Sequence, residues 1–417
     1  MTPPRTGTAA NPCVASAELR HGADIPRAVT IVLAGLISLG AVALDITLVA
    51  LPATARAVGG DPAHSGLIVT TFLAGFAPGQ LLWGFLGDRI GRRRSVLAGL
   101  ICFVLATAAC ALAPAFGWLL AARCLQGVAA GVGPVMGRAI ARDLASEVAG
   151  ARLLALLTAV IGTVPLLAPL VGAALLAHMD WRSVFGLTAL IGVTWSVVAW
   201  SGLPETRPVH LPPLAVSELA SGTRSMFAVA DFRVGAALVA VPFAGYHTLL
   251  ALYPGIAIVN FAVSETNFAW LFAAAAACFT IGSSLSRVLV ARTGLRPLIV
   301  AAALYCLLGG ATIGLAALLH NLPLLAVGAA AYVLGVGQVF PLGTMIALRH
   351  AQASAAWTAG LLGLLQVSGG ALCSFVATRT SNQAMSLGVI LVLCGGLALT
   401  IAASQRVDRP APAPASP

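Results

Sequence analysis

Long apolar runs, each separated from the next by a short polar segment, make up most of the chain. Runs of about 20 residues are long enough to cross the hydrocarbon core of a bilayer, about 30 Å thick, as helices. The pattern predicts twelve such helices, over residues 28–52, 65–86, 96–114, 118–140, 153–177, 184–203, 234–258, 267–290, 297–318, 322–347, 355–378 and 384–403. The chain is therefore predicted to be an all-α membrane protein, and we number these transmembrane helices as spans one to twelve.

One connection is much longer than the others. Residues 204–233 carry four prolines and mixed charges between spans six and seven. This segment divides the spans into two sets of six, which predicts two pseudo-symmetric six-helix bundles. The predicted organisation is an N-terminal tail, a first bundle, a central loop, a second bundle and a Pro/Ala-rich tail, over residues 1–27, 28–203, 204–233, 234–403 and 404–417.

The composition agrees with a membrane protein, because 59% of the residues are hydrophobic and 9% are charged. A soluble protein has about 25% charged residues, so soluble enzymes, nucleic-acid-binding proteins and disordered chains are excluded. All 23 basic residues are arginines. Nineteen lie in tails, loops and span ends on the side of the N-terminus, whereas the other side has only Arg56, Arg182 and Arg379. By the positive-inside rule both termini are predicted to be cytoplasmic, and the net charge of +10 reflects topology.

The sequence contains no motif of an enzyme or of a metal site. It has no lysine and therefore no P-loop. Seven of its eight cysteines lie within apolar runs, and no pair has the spacing of metal ligands. We therefore expect no catalytic residue, no metal and no cofactor.

The loop after span two carries the most specific string in the chain, Gly84-Phe-Leu-Gly-Asp-Arg-Ile-Gly-Arg-Arg-Arg94. A shorter form, R-x-G-x-R, occurs at 89–93 and again at 292–296, after the second span of each set. Glycines permit a tight turn between helices, Asp88 can meet the N-terminal dipole of a facing helix, and arginines can bind anionic lipid headgroups. We interpret the string as a loop that changes its contacts when the bundles move, with these residues: Gly84, Gly87, Asp88, Arg89, Gly91, Arg92 and Arg93.

Two ionisable residues lie well inside predicted spans. Asp45 is the only one of the thirteen acidic residues in an apolar span, and Arg123 is the only basic residue far from a span end. A carboxylate in apolar surroundings resists ionisation, which suits it to bind and release protons. Arginine keeps its proton but can set whether a nearby carboxylate is charged. Asp45 and Arg123 are thus the predicted proton-coupling residues; the alternatives are an Asp45 satisfied by Thr47 or a neighbouring helix, and an Arg123 that is a fixed packing ion.

Span five contains Pro165, Pro169 and Gly172, residue types that bend a helix and let another helix approach closely. A hinge and plain tight packing both require such residues, so both interpretations stand. Polar side chains at membrane depth are candidates to line a cavity for a small neutral or zwitterionic compound. These candidates are Thr47, Gln80, Gln126, Tyr246, His247, Gln338 and Gln366; a lone histidine in a span more often stabilises packing.

Together these strings resemble the major facilitator superfamily. The Gly84–Arg94 loop is similar to the signature loop of that family, and Leu119-x-x-x-Arg123-Cys-Leu-Gln-Gly127 is similar to its proton-coupling helix. The segment Pro165–Gly172 resembles the antiporter-type motif, although Gly172 is followed by alanine instead of a second glycine. Asp180-Trp-Arg-Ser-Val-Phe185 and Leu203-Pro-Glu-Thr206 resemble the bicyclomycin/chloramphenicol-resistance (Bcr/CflA) branch of drug:proton antiporters. The segment after Asp45 departs from that branch, because it lacks an aromatic residue and an extra proline.

The resemblance implies a monomer in the bacterial cytoplasmic (inner) membrane that exports small amphiphilic compounds in exchange for protons by alternating access. Its implied partners are a small-molecule substrate, protons and membrane lipids, and the proton gradient takes the place of a cofactor. The resemblance also places the proton site on Asp45 and favours a hinge in span five. With one carrier we expect one proton per cycle, in competition with substrate. Ile37 and Ala41 stand where some multidrug relatives have a second acid, which favours neutral or singly charged substrates.

Two other functions agree with the same fold. The first is a proton-coupled permease for a sugar, an amino acid or a nucleoside, against which only the strings in spans four and five argue. The second is a membrane sensor that has kept the architecture but has lost transport.

Overall fold

The computed structural model describes residues 26–144, 147–207, 216–349 and 355–404. In these residues the regular structure is helical, with short 3₁₀ and π segments beside fifteen α-helices. The α-helices are α1 (Arg27–Asp45), α2 (Leu51–Ala57), α3 (Leu67–Ile90), α4 (Arg92–Ala111), α5 (Phe116–Ala130), α6 (Val132–Leu144), α7 (Glu147–Leu176), α8 (Arg182–Gly202), α9 (Val216–Ala228), α10 (Ala230–Gly255), α11 (Glu265–Thr293), α12 (Leu295–Leu319), α13 (Leu322–Leu348), α14 (Ala355–Ala377) and α15 (Gln383–Ser404).

Every predicted span corresponds to helix in the structure. Eleven helical segments of the described residues are long and apolar enough to cross a membrane. The remaining prediction, span five, falls in α7, whose 30 residues include the shorter apolar segment Val160–Leu176. Large apolar side chains are exposed on the outside of the helices, including Leu105, Leu318 and Leu393 at 60–70% exposure, as expected of surfaces that face lipid. The prediction of an all-α membrane fold is confirmed.

Two spans are broken helices. Span one consists of α1, a 3₁₀ turn over Leu48–Ala50, and α2. Span four consists of α5 and α6, which meet at Gly131. A hydropathy pattern shows only that these segments are apolar, so neither break was predicted.

The central connection is more ordered than its prolines indicated. Part of the predicted loop 204–233 forms helix α9, and α10 then begins at Ala230, four residues before the predicted start of span seven. The prolines of this segment all precede α9, and residues 208–215 lie outside the described part of the chain. Met226 of α9 is buried against Phe232 and Ala236 of α10, so apolar contacts order the helix.

The two halves of the chain repeat one helix crossing. In the first half, a Cβ on Gly75 of α3 would overlap the carbonyl oxygen of Cys124 in α5. In the second half, a Cβ on Gly282 of α11 would overlap the carbonyl oxygen of Leu334 in α13. The glycines of the two R-x-G-x-R strings, Gly91 and Gly294, also both have positive φ, at 102° and 80°. Small residues therefore allow α3 to cross α5 and α11 to cross α13 in the same way.

The most extensive contacts between the bundles are those of α3 with α14 and of α7 with α11. We call the end of the molecule with the Asp88–Arg94 loop the arginine-rich end, and the end with Asp61, Asp180 and Glu265 the opposite end. At the opposite end Thr70 Oγ1 donates a hydrogen bond to Ser374 Oγ at 2.9 Å. The bundles are therefore joined at this end.

Candidate functional site

Asp45 lies at the break in span one. It is the last residue of α1, and it is buried, with 3% exposure. Behind it, the Thr47 hydroxyl donates to the Leu44 carbonyl at 2.8 Å. The Asp45 carboxyl group therefore lies at membrane depth, at the point where span one stops being a regular α-helix.

Arg123 is fully buried in the first bundle and contacts a backbone carbonyl before Asp45 and a side-chain hydroxyl after it. Its Nη1 donates to the Ala43 carbonyl at 3.2 Å, and its Nη2 lies 3.5 Å from Thr47 Oγ1. Its Nε donates to the Ile68 carbonyl of α3 at 3.2 Å, and its guanidinium lies 4.6 Å from the centre of the Phe72 ring. The ion pairs found among the described residues do not include one between Arg123 and Asp45. Arg123 therefore holds the backbone around Asp45, and its role in proton coupling stays a prediction.

Two predicted lining residues of the first bundle are engaged in packing. Gln126 is fully buried; its Oε1 accepts from Arg123 at 2.6 Å and its Nε2 donates to Thr107 Oγ1 at 2.8 Å. The amide oxygen is bound to Arg123 and the amide nitrogen to Thr107, so neither atom is free to bind a substrate. Gln80 is buried where α3 meets α14, with its amide against Gly363.

The second bundle contributes an aromatic cluster, which we define as Phe243, Tyr246, His247, Phe279 and Phe340. Ring centroids within this cluster lie 5.2–6.4 Å apart. Its residues come from α10, α11 and α13, and Tyr246 is close enough to Asp45 for an electrostatic interaction. The structure therefore brings the carboxyl of the first bundle towards aromatic rings of the second.

Buried polar atoms without hydrogen-bond partners occur in the same bundle. Among the described residues they include Nδ1 of His247 and Oε1 of Gln338, two of the predicted lining residues. Such an atom costs about 1–3 kcal/mol when it has no partner, so each is suited to bind a polar group of a substrate or a water molecule. Gln366 is half-buried on α14, with its backbone beside His247. Tyr246 and His247 were predicted, whereas the three phenylalanines were not, because each appears in the sequence as an ordinary apolar residue.

Gly172 packs directly against the break in span one. A Cβ at this position would overlap the carbonyl oxygen of Ile46, the residue after Asp45. Pro165 and Pro169 lie inside α7, which is continuous through both of them. Close packing explains Gly172; a hinge at these three residues stays a prediction.

The loop at the arginine-rich end is organised by a buried arginine. Arg92 is 5% exposed, and it forms ion pairs with Asp88 at 2.6 Å and with Asp143 at 3.0 Å. The carboxylate that meets a helix N-terminus here is that of Glu205, which accepts from the backbone N–H groups of Arg92 at 2.8 Å and Arg93 at 3.3 Å. Glu205 thus caps α4, which begins immediately after Gly91, and a contact of Asp88 with the N-terminus of a facing helix stays a prediction.

The glycines of the loop have different roles. Only Gly91 forms the turn, with its positive φ, and a Cβ there would overlap Glu205. Gly84 and Gly87 lie inside α3, where Gly87 faces Met136 of α6. The Arg89 guanidinium is exposed and lies 5.7 Å from the centre of the Phe85 ring. The expectation that all these glycines serve a turn was therefore wrong for Gly84 and Gly87, which lie inside a helix, and a side chain at Gly87 would overlap Met136.

The sequence profile of the Major Facilitator Superfamily matches residues 31–374. The chain belongs to this superfamily. It is a multi-pass membrane transporter and not an enzyme.

Relatives and solved structures agree with this family. The "Multidrug resistance protein D" of Escherichia coli K12 is 29% identical over 86% of this chain and 91% of its own length. The "Multidrug resistance protein MdtL" of Salmonella dublin is 33% identical over 44% of this chain and 46% of its own length. Among solved structures, a D-xylose-proton symporter matches 89% of this chain and 97% of its own, with a TM-score of 0.69 at 17% identity. The human organic anion transporter MFSD10 (TETRAN) matches 89% of this chain and 99% of its own, with a TM-score of 0.63 at 18% identity.

Proposed function

We propose that this transporter exports small amphiphilic compounds, of the chloramphenicol or bicyclomycin kind, in exchange for protons. The observation that carries the proposal is the position of Asp45: a buried acid at a helix break, within electrostatic range of Tyr246 in the other bundle. The names of the curated relatives, multidrug resistance proteins, support export of drugs. The strings that resemble the Bcr/CflA branch support the same class of substrate.

The proposed cycle uses Asp45 as the single carrier. In the state open to the outside, Asp45 takes up a proton and the substrate leaves. In the state open to the cytoplasm, Asp45 loses the proton and a new substrate binds between the carboxylate and the aromatic cluster. Because proton and substrate bind the same group, each cycle exchanges one proton for one substrate. The proton gradient can drive export only if the two states differ in their affinity for the proton.

Two features of the fold support this switch. Arg123 contacts the Ala43 carbonyl before Asp45 and the Thr47 hydroxyl after it, so a movement of the bundle carries the carboxyl with it. The Asp88–Arg94 loop, with its ion pairs at the arginine-rich end, favours one of the two states. We place that end and both termini in the cytoplasm, and the protein as a monomer in the bacterial inner membrane.

The experiment is transport in proteoliposomes with chloramphenicol as the probe. We expect an imposed proton gradient to drive chloramphenicol transport by the wild-type protein but not by the Asp45→Asn variant. The matched control is Asp61→Asn, which also removes one carboxylate: a hydrogen bond from the Ala63 backbone lowers the pKa of the Asp61 carboxyl, so it is charged at neutral pH. The asparagine side chain can accept the same backbone hydrogen bond, so the control should transport like wild type. Gradient-driven transport that survives in Asp45→Asn would contradict the proposal, and accumulation of a sugar or amino acid instead of the drug would favour a permease.

A further inference from the structure

We infer that the junction of the bundles at the opposite end holds a second binding site, which takes lipophilic monovalent cations. The site is a cavity of about 350 Å³, which we call the seam cavity. Ligand pockets have volumes of about 300–1,000 Å³, so it is large enough for a small amphiphile. Both bundles line it: Ala173, Leu176, Met179, Asp180 and Trp181 belong to the first, and Glu265 to the second.

The walls of the seam cavity are apolar and adaptable. Ala173 and Leu176 come from the last turn and a half of α7, and Met179 and Trp181 from the connection to α8. Methionine adjusts to ligands of different shape. The Trp181 ring already forms one cation–π contact, because the Arg182 guanidinium lies 4.4 Å from its centre. Such walls suit a ligand with aryl or alkyl groups.

The rim of the cavity carries excess negative charge. Glu265 begins α11, where the helix dipole stabilises a carboxylate, and no ion pair to it occurs within the described residues. Asp180 has Arg182 as a partner at 3.8 Å, but both side chains are largely exposed, which makes that pair weak. Two carboxylates and one guanidinium leave one net negative charge at the cavity. A ligand that combines apolar groups with one positive charge therefore complements it.

The location of the seam cavity connects it with Asp45. Ala173 follows Gly172, which packs on Ile46, the residue next to Asp45. The cavity therefore borders the helix that packs on the break in span one. Because Asp180 and Glu265 come from different bundles, a tilt that opens the opposite end would move them apart and release a bound cation. This last step rests on the proposed function, whereas binding to the cavity does not.

The test measures equilibrium binding of tetraphenylphosphonium to the purified full-length protein. The neutral comparison ligand is triphenylphosphine oxide, which keeps aryl rings but lacks the positive charge. Every variant is made in an Asp45→Asn background, so that the acid of span one does not contribute. We expect Glu265→Gln to raise the Kd for tetraphenylphosphonium about fivefold, as for loss of one partly exposed charge, and Glu265→Gln with Asp180→Asn to raise it further. The Kd for triphenylphosphine oxide should not change, which also shows that the variants are folded.

Asp61→Asn is the control, because it removes a carboxylate at the same end but outside the cavity. An unchanged Kd for tetraphenylphosphonium in Glu265→Gln, or an equal change in Asp61→Asn, overturns the seam cavity as a cation site. Neither result depends on whether Asp45 drives transport. The chloramphenicol transport experiment tests the proposed export function, and the binding experiment tests the seam cavity, so failure of one can be told from failure of the other.

Discussion

Arg123 Nη1 lies 3.2 Å from the carbonyl oxygen of Ala43, two residues before Asp45. The same guanidinium reaches Thr47 Oγ1, two residues after Asp45. A planar group with several donors can hold two acceptors at once, which a lysine ammonium on a flexible stem does less well. Arg123 thus acts on the carboxyl through the backbone that carries it, and not through a direct ion pair.

This geometry makes a prediction for Arg123→Lys. The substitution keeps the positive charge but loses the fork that spans the break, so we expect gradient-driven chloramphenicol transport to fall about tenfold or more. Arg123 is tied to Ile68 and Gln126 as well. We therefore also expect a lower Tm, which thermal unfolding in detergent measures. Gln126→Glu is the comparison, because it retains an acceptor for Arg123. Full transport by Arg123→Lys would show that charge alone matters.

Gly172 sets the distance between α7 and the break in span one. Because a Cβ there would overlap the Ile46 carbonyl, we expect Gly172→Ala to displace the segment next to Asp45 and to cost about 1–3 kcal/mol of stability. The transport rate should fall by more than the loss of stability explains. Ala173→Gly, which completes a glycine pair one residue away, should retain transport. The measurements are Tm and initial rates at matched protein levels, and a Gly172→Ala variant with wild-type rates would argue against this contact.

Much of the fold could be predicted from local pattern. Apolar runs predicted the spans because most lipid-facing and core residues are apolar, and Asp45 and Arg123 stood out because charge at membrane depth is rare. The aromatic cluster could not be found in this way, since Phe243, Phe279 and Phe340 meet only after three distant helices pack together. Glu205 was missed as a helix cap for the same reason: it lies more than 100 residues beyond the N–H groups it accepts from.

The positive-φ glycines of the two R-x-G-x-R strings provide a matched test of the loop. Gly91 and Gly294 have φ of 102° and 80° with ψ of 157° and 171°, a region that other residues adopt at a cost of about 1–3 kcal/mol. A Cβ on Gly294 would lie in open space, whereas one on Gly91 would overlap Glu205. We expect both alanine variants to lose stability and Gly91→Ala to lose more. Only Gly91→Ala should also slow transport, because it displaces the carboxylate from α4. Equal Tm shifts in the two variants would mean that the Glu205 contact contributes nothing.

Tyr246 lies close enough to Asp45 for an electrostatic interaction, and its ring packs 5.6 Å from that of Phe243. Tyr246→Phe keeps the ring and removes the hydroxyl, so the aromatic cluster should remain intact. We expect the Kd for chloramphenicol to change less than threefold and the gradient-driven rate to fall about tenfold. Tyr305→Phe, a half-exposed tyrosine on α12 outside the cluster, is the control. A larger effect on binding than on rate would assign Tyr246 to substrate recognition alone.

The hydrogen bond between Thr70 and Ser374 joins the bundles at the opposite end. If this end opens during transport, the two residues must separate in every cycle. We expect Thr70→Cys with Ser374→Cys to form a disulfide on mild oxidation, since the oxygens they replace lie 2.9 Å apart, and to stop transport until a reductant is added. The single variants keep all native cysteines and should continue to transport after oxidation, which separates the new bridge from damage elsewhere. Transport that continues through the oxidised double variant would show that the opposite end does not open between α3 and α14, and movement would then have to occur between α7 and α11.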